Sequence, residues 1–219
     1  MKHPVTIYCR RFEPCSVKQQ HRYGRELLCQ ALREEYNIDF TEEMMMLAAN
    51  GKPGLKELPI FFNISHCSGM AALALSDVPV GVDVETTRSV TDSLIRRTLS
   101  PWEQEYVVGQ DRIARFLELW TLKESFIKMT GEGLRTSMNT VQFQFMDKED
   151  MDKENVDMVD MGSEEFGKEQ IRVVSDPLSS VELWRTSARI RCNRSGQFCQ
   201  WKIDGTYILS LCWLVAGAR

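Results

Sequence analysis

The segment Val80–Glu85 places two carboxylates where both could bind one metal ion. Its valines alternate with Gly81, Asp83 and Glu85, so a β-strand here would bury the valines and project both acids from its other face. Carboxylates this close repel each other unless a cation lies between them, and their hard oxygen atoms favour Mg²⁺ over softer metals. A solvated edge strand with an acidic outer face has the same pattern. The segment alone therefore leaves a magnesium site and a plain surface strand open.

A second group of chemically useful residues lies in a helix predicted over about 111–129. Trp120, Glu124 and Lys128 are spaced four apart and therefore share one helix face. Glu124 and Lys128 would equally form a surface ion pair worth about 0.3–0.5 kcal/mol. They lie beside an apolar stripe, where a charge is costly to desolvate unless a ligand or metal meets it. This face is therefore a candidate for contact with a metal or a phosphate.

Three other segments carry side chains that could bind an anion. Ser65-His66 follows the apolar stretch 61–64, and strand ends that open into loops often hold ligand contacts, although a histidine there equally caps a turn. Gly51-Lys52-Pro53 has the composition of a turn. Arg22, near the start of the first predicted helix, could meet phosphate oxygens or be solvated. Each of these signals leaves both interpretations open.

The first part of the chain has the pattern of one helix followed by a small sheet. Ser16 to Gln19 forms a capping box, and apolar residues at helical spacing follow as far as Tyr36, which predicts a helix of about five turns. Apolar segments separated by turn-forming residues then predict strands of one sheet at 61–65, 70–75 and 80–84.

The second part of the chain adds two helices and further strands. Ser100, followed by Pro101, begins a short helix. The longer helix over 111–129 carries an apolar stripe that includes Ile113, and Gly131 supplies a left-handed stop. Strands are predicted at 141–145, 171–174, 181–184, 188–192, 198–203 and 207–214.

The distribution of elements predicts an α+β fold with two halves, residues 1–77 and 78–219. Both halves contain a helix and short strands, as a duplicated unit would, although no sequence repeat supports duplication. Segment 147–169 contains ten acidic residues and three lysines. Its composition predicts a mobile acidic insertion in the second half.

Composition bounds the class of protein and its partners. The 219 residues are 43% hydrophobic, which is enough for a substantial core. Outside segment 147–169 the chain has 24 basic and 21 acidic residues, a balance that favours small phosphorylated ligands or acidic protein partners over nucleic acid. Seven cysteines without a CxxC pair, and only three histidines, argue against a zinc site or disulfide framework. With no signal peptide and no membrane span recognisable, a cytoplasmic location is expected.

Four segments, in this order and at these separations, resemble the Sfp-type 4′-phosphopantetheinyl transferase family. They are GKP at 51–53, FNISH at 62–66, GVDVE at 81–85 and WTLKESFIKMTGEGL at 120–134. The resemblance spans about Gly51 to Leu134. It implies a pseudo-dimer of two similar halves, each a small antiparallel sheet packed with a long helix, with coenzyme A bound between them.

The resemblance also implies an activity. The chain would transfer the 4′-phosphopantetheine moiety of coenzyme A to a serine of an acyl or peptidyl carrier protein, with Mg²⁺, and release 3′,5′-ADP. Asp83, Glu85 and Glu124 would hold the Mg²⁺ against the pyrophosphate. Glu124, directly or through a metal-bound water, would help deprotonate the serine, and Lys128 would stabilise the developing charge. The residues that would contact the phosphates are Lys52, Ser65, His66 and Lys128, with Arg22 as a further candidate.

Some features depart from the family pattern or leave alternatives. Fuller members carry basic residues in a longer N-terminal region, which cannot be aligned here, and Lys123 and Trp120 belong to the last motif without a clear role. A coenzyme A-binding module without transfer activity, or a magnesium-dependent pyrophosphate hydrolase, would use the same residues. Carrier proteins are typically acidic, so docking is expected on neutral faces near the first sheet or the long helix, away from 147–169. The two-half architecture favours a monomer.

Overall fold

The fold consists of two four-stranded sheets, each covered on its outer face by a long helix. A computed structural model describes residues 5–133, 136–146, 159–160, 171–175, 183–185 and 189–214. The strands are β1 Val5–Arg11, β2 Met45–Leu47, β3 Pro53–Leu55, β4 Phe61–Cys67, β5 Met70–Ser76, β6 Val80–Thr86, β7 Phe143–Met146, β8 Val159–Asp160, β9 Ile171–Ser175, β10 Leu183–Arg185, β11 Arg189–Cys192, β12 Gln197–Ile203 and β13 Tyr207–Trp213. The α-helices are α1 Val17–Tyr36, α2 Asp92–Thr98, α3 Pro101–Tyr106 and α4 Arg112–Thr130. Short 3₁₀ helices lie at Glu42–Met44 and Met138–Thr140.

The two large sheets are built from strands that come from different parts of the chain. The first has the strand order β4-β5-β1-β9, and the second has the order β10-β12-β13-β6. Neighbouring strands are antiparallel except β1 and β9, which pair in parallel. Since β9 follows β6 in sequence by many residues, the first sheet takes a strand from beyond residue 78. Strands β7, β11 and β8 form a small third sheet, and β2 pairs with β3.

Alternation along the central strands explains the layering. In β5, Met70 and Ala72 face the second sheet, whereas Leu73 and Leu75 face α1. Strand β13 behaves in the same way, with residues directed alternately into the core between the sheets and towards α4. Because both faces of these strands are buried, their sequences are almost continuously apolar. The molecule is therefore layered as helix, sheet, sheet and helix.

Local signals fix the ends of the helices. Ser16 begins α1 with a complete capping box, and Ser100 does the same for α3. Helix α4 ends at Gly131, whose φ of 72° is in the left-handed region that favours glycine. These boundaries agree with the sequence predictions. None of the helices in the described part of the chain is long and apolar enough to cross a membrane.

Gly81 allows α4 to lie directly against β6. A Cβ atom at this position would be 2.0 Å from the backbone oxygen of Ser125 and 2.5 Å from the backbone nitrogen of Met129. We expect Gly81→Ala to force the helix and strand apart and to destabilise the fold by about 1–3 kcal/mol. Denaturant unfolding measures this, with Gly54→Ala as the control because its Cβ would lie an ordinary 3.6 Å from Met46. Equal stability of the two variants would contradict the prediction.

The structure confirms the mixed α+β class with antiparallel sheets and corrects some details. Strand β1, the β2–β3 pair and helix α2 are additions, because the sequence analysis assigned no strand before residue 61 and no helix at 92–98. The prediction that 61–65, 70–75 and 80–84 form one sheet was wrong, because β6 pairs with β13 in the second sheet. Ile113 was predicted in the buried stripe of α4, yet 39% of this residue is exposed. The acidic segment 147–169 lies outside the described residues except for 159–160. The boundary between 1–77 and 78–219 stays a prediction.

Candidate active site

The candidate site lies where the edge strands of the two large sheets meet. Strands β4 and β6 are joined here through side chains: the Val82 N–H donates to Asn63 Oδ1 at 2.9 Å, and the Val84 N–H donates to Ser65 Oγ at 3.3 Å. The FNISH and GVDVE segments are thereby held side by side. We call this contact the β4–β6 seam.

Asp83 is the centre of the hydrogen-bond network at the seam. Its Oδ1 accepts from Ser65 Oγ at 2.8 Å and from Lys128 Nζ at 2.6 Å. Lys128 Nζ also donates to Ser65 Oγ at 2.9 Å and to the Val82 carbonyl at 3.3 Å. The sequence left open an ion pair between Lys128 and Glu124, but Lys128 pairs with Asp83. This arrangement places one lysine from α4 across both sheets.

The second oxygen of Asp83 has no hydrogen-bond partner among the described residues. Asp83 is 5% exposed, and its Oδ2 is buried without a hydrogen bond. An unpaired buried carboxylate oxygen is costly unless a cation or donor meets it. Since this oxygen is a hard ligand beside other carboxylates, the donor set fits a divalent cation such as Mg²⁺.

Glu85 and Glu124 are the two further acidic side chains near Asp83. Burial, and then the negative charge of Asp83, raise the pKa of both glutamates. Arg88 opposes the shift in the pKa of Glu85, and Lys128 opposes that in the pKa of Glu124. Among the described residues, however, no three Asp, Glu, His or Cys side chains are close enough together to hold a metal ion. The carboxylates therefore face one region without forming a closed coordination shell.

A cavity of about 610 Å³ opens beside these groups. It is lined by the turn at 50–53, by Asn63, and by Trp120, Glu124 and Lys128 on one face of α4. Its volume is in the range of pockets that hold small molecules and cofactors. Trp120, Glu124 and Lys128, which their spacing of four placed on one face of the helix, therefore all line the cavity.

Lys52 lies in the cavity wall and links two elements of the site. Its Nζ donates to the carbonyls of Val80 at 3.1 Å and Met129 at 2.9 Å. Burial lowers its pKa to about 8. The turn predicted at 51–53 therefore connects the start of β6 to the last turn of α4. With two of its three protons donated to carbonyls, Lys52 retains one donor for a ligand.

His66 and Arg22 differ in their relation to the site. His66 lies inside β4, so the prediction that the strand ends before it was wrong. Its Nδ1 is 3.1 Å from Gln20 Oε1, and burial, together with the nearby His21 and Lys128, lowers its pKa. Arg22 has a side chain that is 63% exposed, pairs with Glu26 at 3.4 Å and lies over the Tyr23 ring. The structure brings His66 next to the seam and leaves Arg22 on the surface of α1.

Several residues that sequence reasoning did not select contribute to the site. Asn63 aligns the strands, and its position two residues before Ser65 on the same face of β4 could have indicated it. Arg88 contacts Glu85, although nothing in its local sequence points to this. Lys123, the motif residue without a clear role, is fully buried and pairs with Glu103 at 2.8 Å. Its function is to hold α4, not to line the cavity.

Parts of this chain are similar to known proteins. Residues 79–181 match the model of the 4′-phosphopantetheinyl transferase superfamily. The chain is 31% identical over 121 residues to the 4′-phosphopantetheinyl transferase psf-1 of Bacillus pumilus, covering 53% of this chain and 52% of that protein. It is 29% identical over 136 residues to the 4′-phosphopantetheinyl transferase Sfp of Bacillus subtilis (strain 168), covering 60% and 61% respectively.

A more distant source gives a similar match. The L-aminoadipate-semialdehyde dehydrogenase-phosphopantetheinyl transferase of Xenopus laevis is 31% identical over 139 residues, covering 55% of this chain and 46% of that protein. The chain thus spans about half to three fifths of the length of these curated relatives.

Proposed function

We propose that this chain, whose residues 79–181 match the 4′-phosphopantetheinyl transferase superfamily, transfers the 4′-phosphopantetheine moiety of coenzyme A to a serine of an acyl or peptidyl carrier protein. The reaction would require Mg²⁺ and release 3′,5′-ADP. The observation that carries the proposal is the Asp83 network beside the cavity. There Asp83, with one unpaired carboxylate oxygen among the described residues, binds Lys128, and Lys128 lines the cavity together with Lys52 and Glu124.

Asp83, Glu85 and Glu124 are the residues that would hold Mg²⁺. The buried Asp83 Oδ2 needs a cation or a donor, and burial, followed by the negative charge of Asp83, raises the pKa of both Glu85 and Glu124, which a cation would oppose. When bound, the ion would neutralise the pyrophosphate and the charge that develops on the departing 3′,5′-ADP.

The lysines and the seam residues would bind and orient the phosphates. Lys128 extends from α4 to the Ser65–Asp83 pair, so its ammonium group is fixed where a phosphate could meet it. Lys52 and His66 flank this position, and Arg22 remains a peripheral candidate. Fixed cations of this kind stabilise negative charge in the transition state without having to reorganise.

Glu124 would act as the base. The carrier serine attacks the β-phosphorus of coenzyme A, the new Ser O–P bond forms, and the bond to the 5′-phosphate oxygen of 3′,5′-ADP breaks. The proton of the serine passes to Glu124, directly or through a water. A serine hydroxyl is a weak nucleophile at neutral pH, and burial raises the pKa of Glu124, which strengthens it as a base.

Coenzyme A would lie between the two halves. The β4–β6 seam supports this placement, because Ser65 comes from the first sheet and Asp83 from the second. A pseudo-dimer of residues 1–77 and 78–219 would put equivalent edge strands at this junction.

The proposal is tested by mixing the protein with coenzyme A, Mg²⁺ and a panel of apo carrier proteins, then measuring the intact mass of each carrier. We expect a carrier to gain the mass of the phosphopantetheine arm. If acyl, peptidyl and aryl carriers all stay unmodified while coenzyme A binds in calorimetry, the chain is a binding module. If 3′,5′-ADP is released without any carrier, it is a hydrolase.

A further inference from the structure

Glu85, one of the proposed metal ligands, already pairs with a cationic side chain of the protein. Arg88 Nε is 3.3 Å from Glu85 Oε2, and Arg88 Nη2 is 3.3 Å from Glu85 Oε1. Both carboxylate oxygens therefore face one guanidinium group. A carboxylate in this arrangement is not free to coordinate a second cation with the same lone pairs.

Arg88 is supported by α4 on its other side. Its guanidinium carbon lies 5.4 Å from the ring centroid of Trp120, and that ring packs against the fully buried Phe116 at 5.8 Å. The Trp120 side chain also lowers the pKa of Glu85, which places the indole close to this carboxylate. Arg88 is thus stacked on a rigid aromatic residue one turn before Glu124.

The Arg88–Glu85 pair differs from the Lys128–Asp83 pair in the features that set its strength. The lysine pair is short, at 2.6 Å, and the Asp83 side chain is 7% exposed. The arginine pair is long, at 3.3 Å, and the Arg88 and Glu85 side chains are 38% and 19% exposed. Long, solvent-accessible ion pairs contribute little to stability, so the arginine pair is the easier of the two to separate.

Arg88 also lies outside the regular elements, so displacement of its side chain breaks no strand pairing. It follows the end of β6 at Thr86, and α2 begins only at Asp92. The described carboxylates are not gathered into a metal shell while Glu85 pairs with Arg88. Separation of this pair is the change that would free Glu85.

We propose that Arg88 is a positioning residue that holds Glu85 in the cation-free protein and is displaced when a divalent cation binds. This inference rests on the proposed function, since it takes Glu85 as a ligand. Arg88 thereby competes with the metal for one carboxylate. In the free protein it also offsets the repulsion among Asp83, Glu85 and Glu124.

The competition is tested by measuring the affinity for Mn²⁺ directly, from the electron paramagnetic resonance signal of the free ion. We expect Arg88→Gln to bind Mn²⁺ about two- to fivefold more tightly than the unchanged protein, in line with the loss of a partly exposed ion pair. Arg96→Gln is the matched control, because it removes the same charge from an exposed position on α2. Arg88→Lys should fall between, since lysine keeps the charge but loses the fork geometry.

The outcomes separate the inference from the proposed function. Equal or weaker binding by Arg88→Gln than by Arg96→Gln would overturn the inference while leaving the ligand set intact. A protein that binds no Mn²⁺, or a Glu85→Gln variant that binds it as tightly as the unchanged chain, would overturn both the ligand set and the inference. If thermal unfolding shows that Arg88→Gln does not fold, Arg88→Lys is compared with Arg96→Gln instead. Tighter Mn²⁺ binding by Arg88→Lys would then support the inference, and equal or weaker binding would overturn it.

Discussion

Glu124→Gln is expected to lower the rate of phosphopantetheine transfer by about 10²–10⁴-fold, the range usually contributed by a positioned acid or base. Glutamine keeps the size and shape of the side chain but can neither accept the serine proton nor act as an anionic ligand. Glu124 lines the cavity, and Asp83 and Glu85 act on it electrostatically. Single-turnover transfer to an apo carrier protein, followed by mass, measures the loss.

The fold should survive this change. Glu124 is only partly buried, and its removal relieves repulsion from Asp83 and Glu85 while losing attraction to Lys128. The thermal midpoint should therefore stay within a few degrees of that of the unchanged protein. Glu105→Gln, at an exposed position on α3, should keep full activity. Retained transfer by Glu124→Gln would show that Glu124 is not the base.

Lys123→Met is expected to have the largest effect on stability, about 3–5 kcal/mol. The Lys123 and Glu103 side chains are both completely buried, and Lys123 also donates to the carbonyls of Met138 and Val141. Methionine would leave the Glu103 charge buried without a counter-ion. Since the pair ties α4 to α3 and to the 138–141 loop, the loss should be global. The denaturant midpoint measures it.

Two comparisons isolate the cause. Lys202→Met breaks an ion pair with Glu118 in which the lysine side chain is 52% exposed, so it should cost less than about 1 kcal/mol. The double variant Lys123→Met/Glu103→Gln should recover part of the stability because no charge is left unpaired. Glu103 also accepts from the backbone N–H groups of Ser100 and Phe143, which glutamine satisfies only in part. A loss below 1 kcal/mol for Lys123→Met would refute the buried-charge explanation.

Local signals in the sequence predicted α1, α3 and α4 but not α2, and they predicted the sheets less completely. Capping at Ser16 and Ser100 and the left-handed Gly131 depend on neighbouring residues alone, so they can be recognised without knowing the fold. Strand β1 ends in two arginines and lacks a clear alternation. It becomes a central strand only through pairing with β5 and with β9, far along the chain. No local pattern specifies such partners.

The same distinction applies to the site. Alternation placed Asp83 and Glu85 on one face, and spacing placed Glu124 and Lys128 on another, because both periods are properties of single elements. Which face of one element contacts which face of another depends on how the elements pack. The sequence therefore indicated Glu124 as a possible ion-pair partner of Lys128, whereas in the structure Lys128 pairs with Asp83. Arg88 was missed for the same reason.

The β4–β6 seam limits how this protein can be altered. Where sheets are joined by a backbone ladder, side chains at the junction can change while the strands stay aligned. Here the hydroxyl of Ser65 both aligns Val84 and holds Asp83 and Lys128. The Ser65 hydroxyl oxygen therefore serves both the alignment of the strands and the candidate site. A substitution at this position, whether by selection or by an engineer, cannot change one without the other. Redesign of the cavity wall is better begun at the turn at 50–53, where positions other than Lys52 can change without breaking the seam.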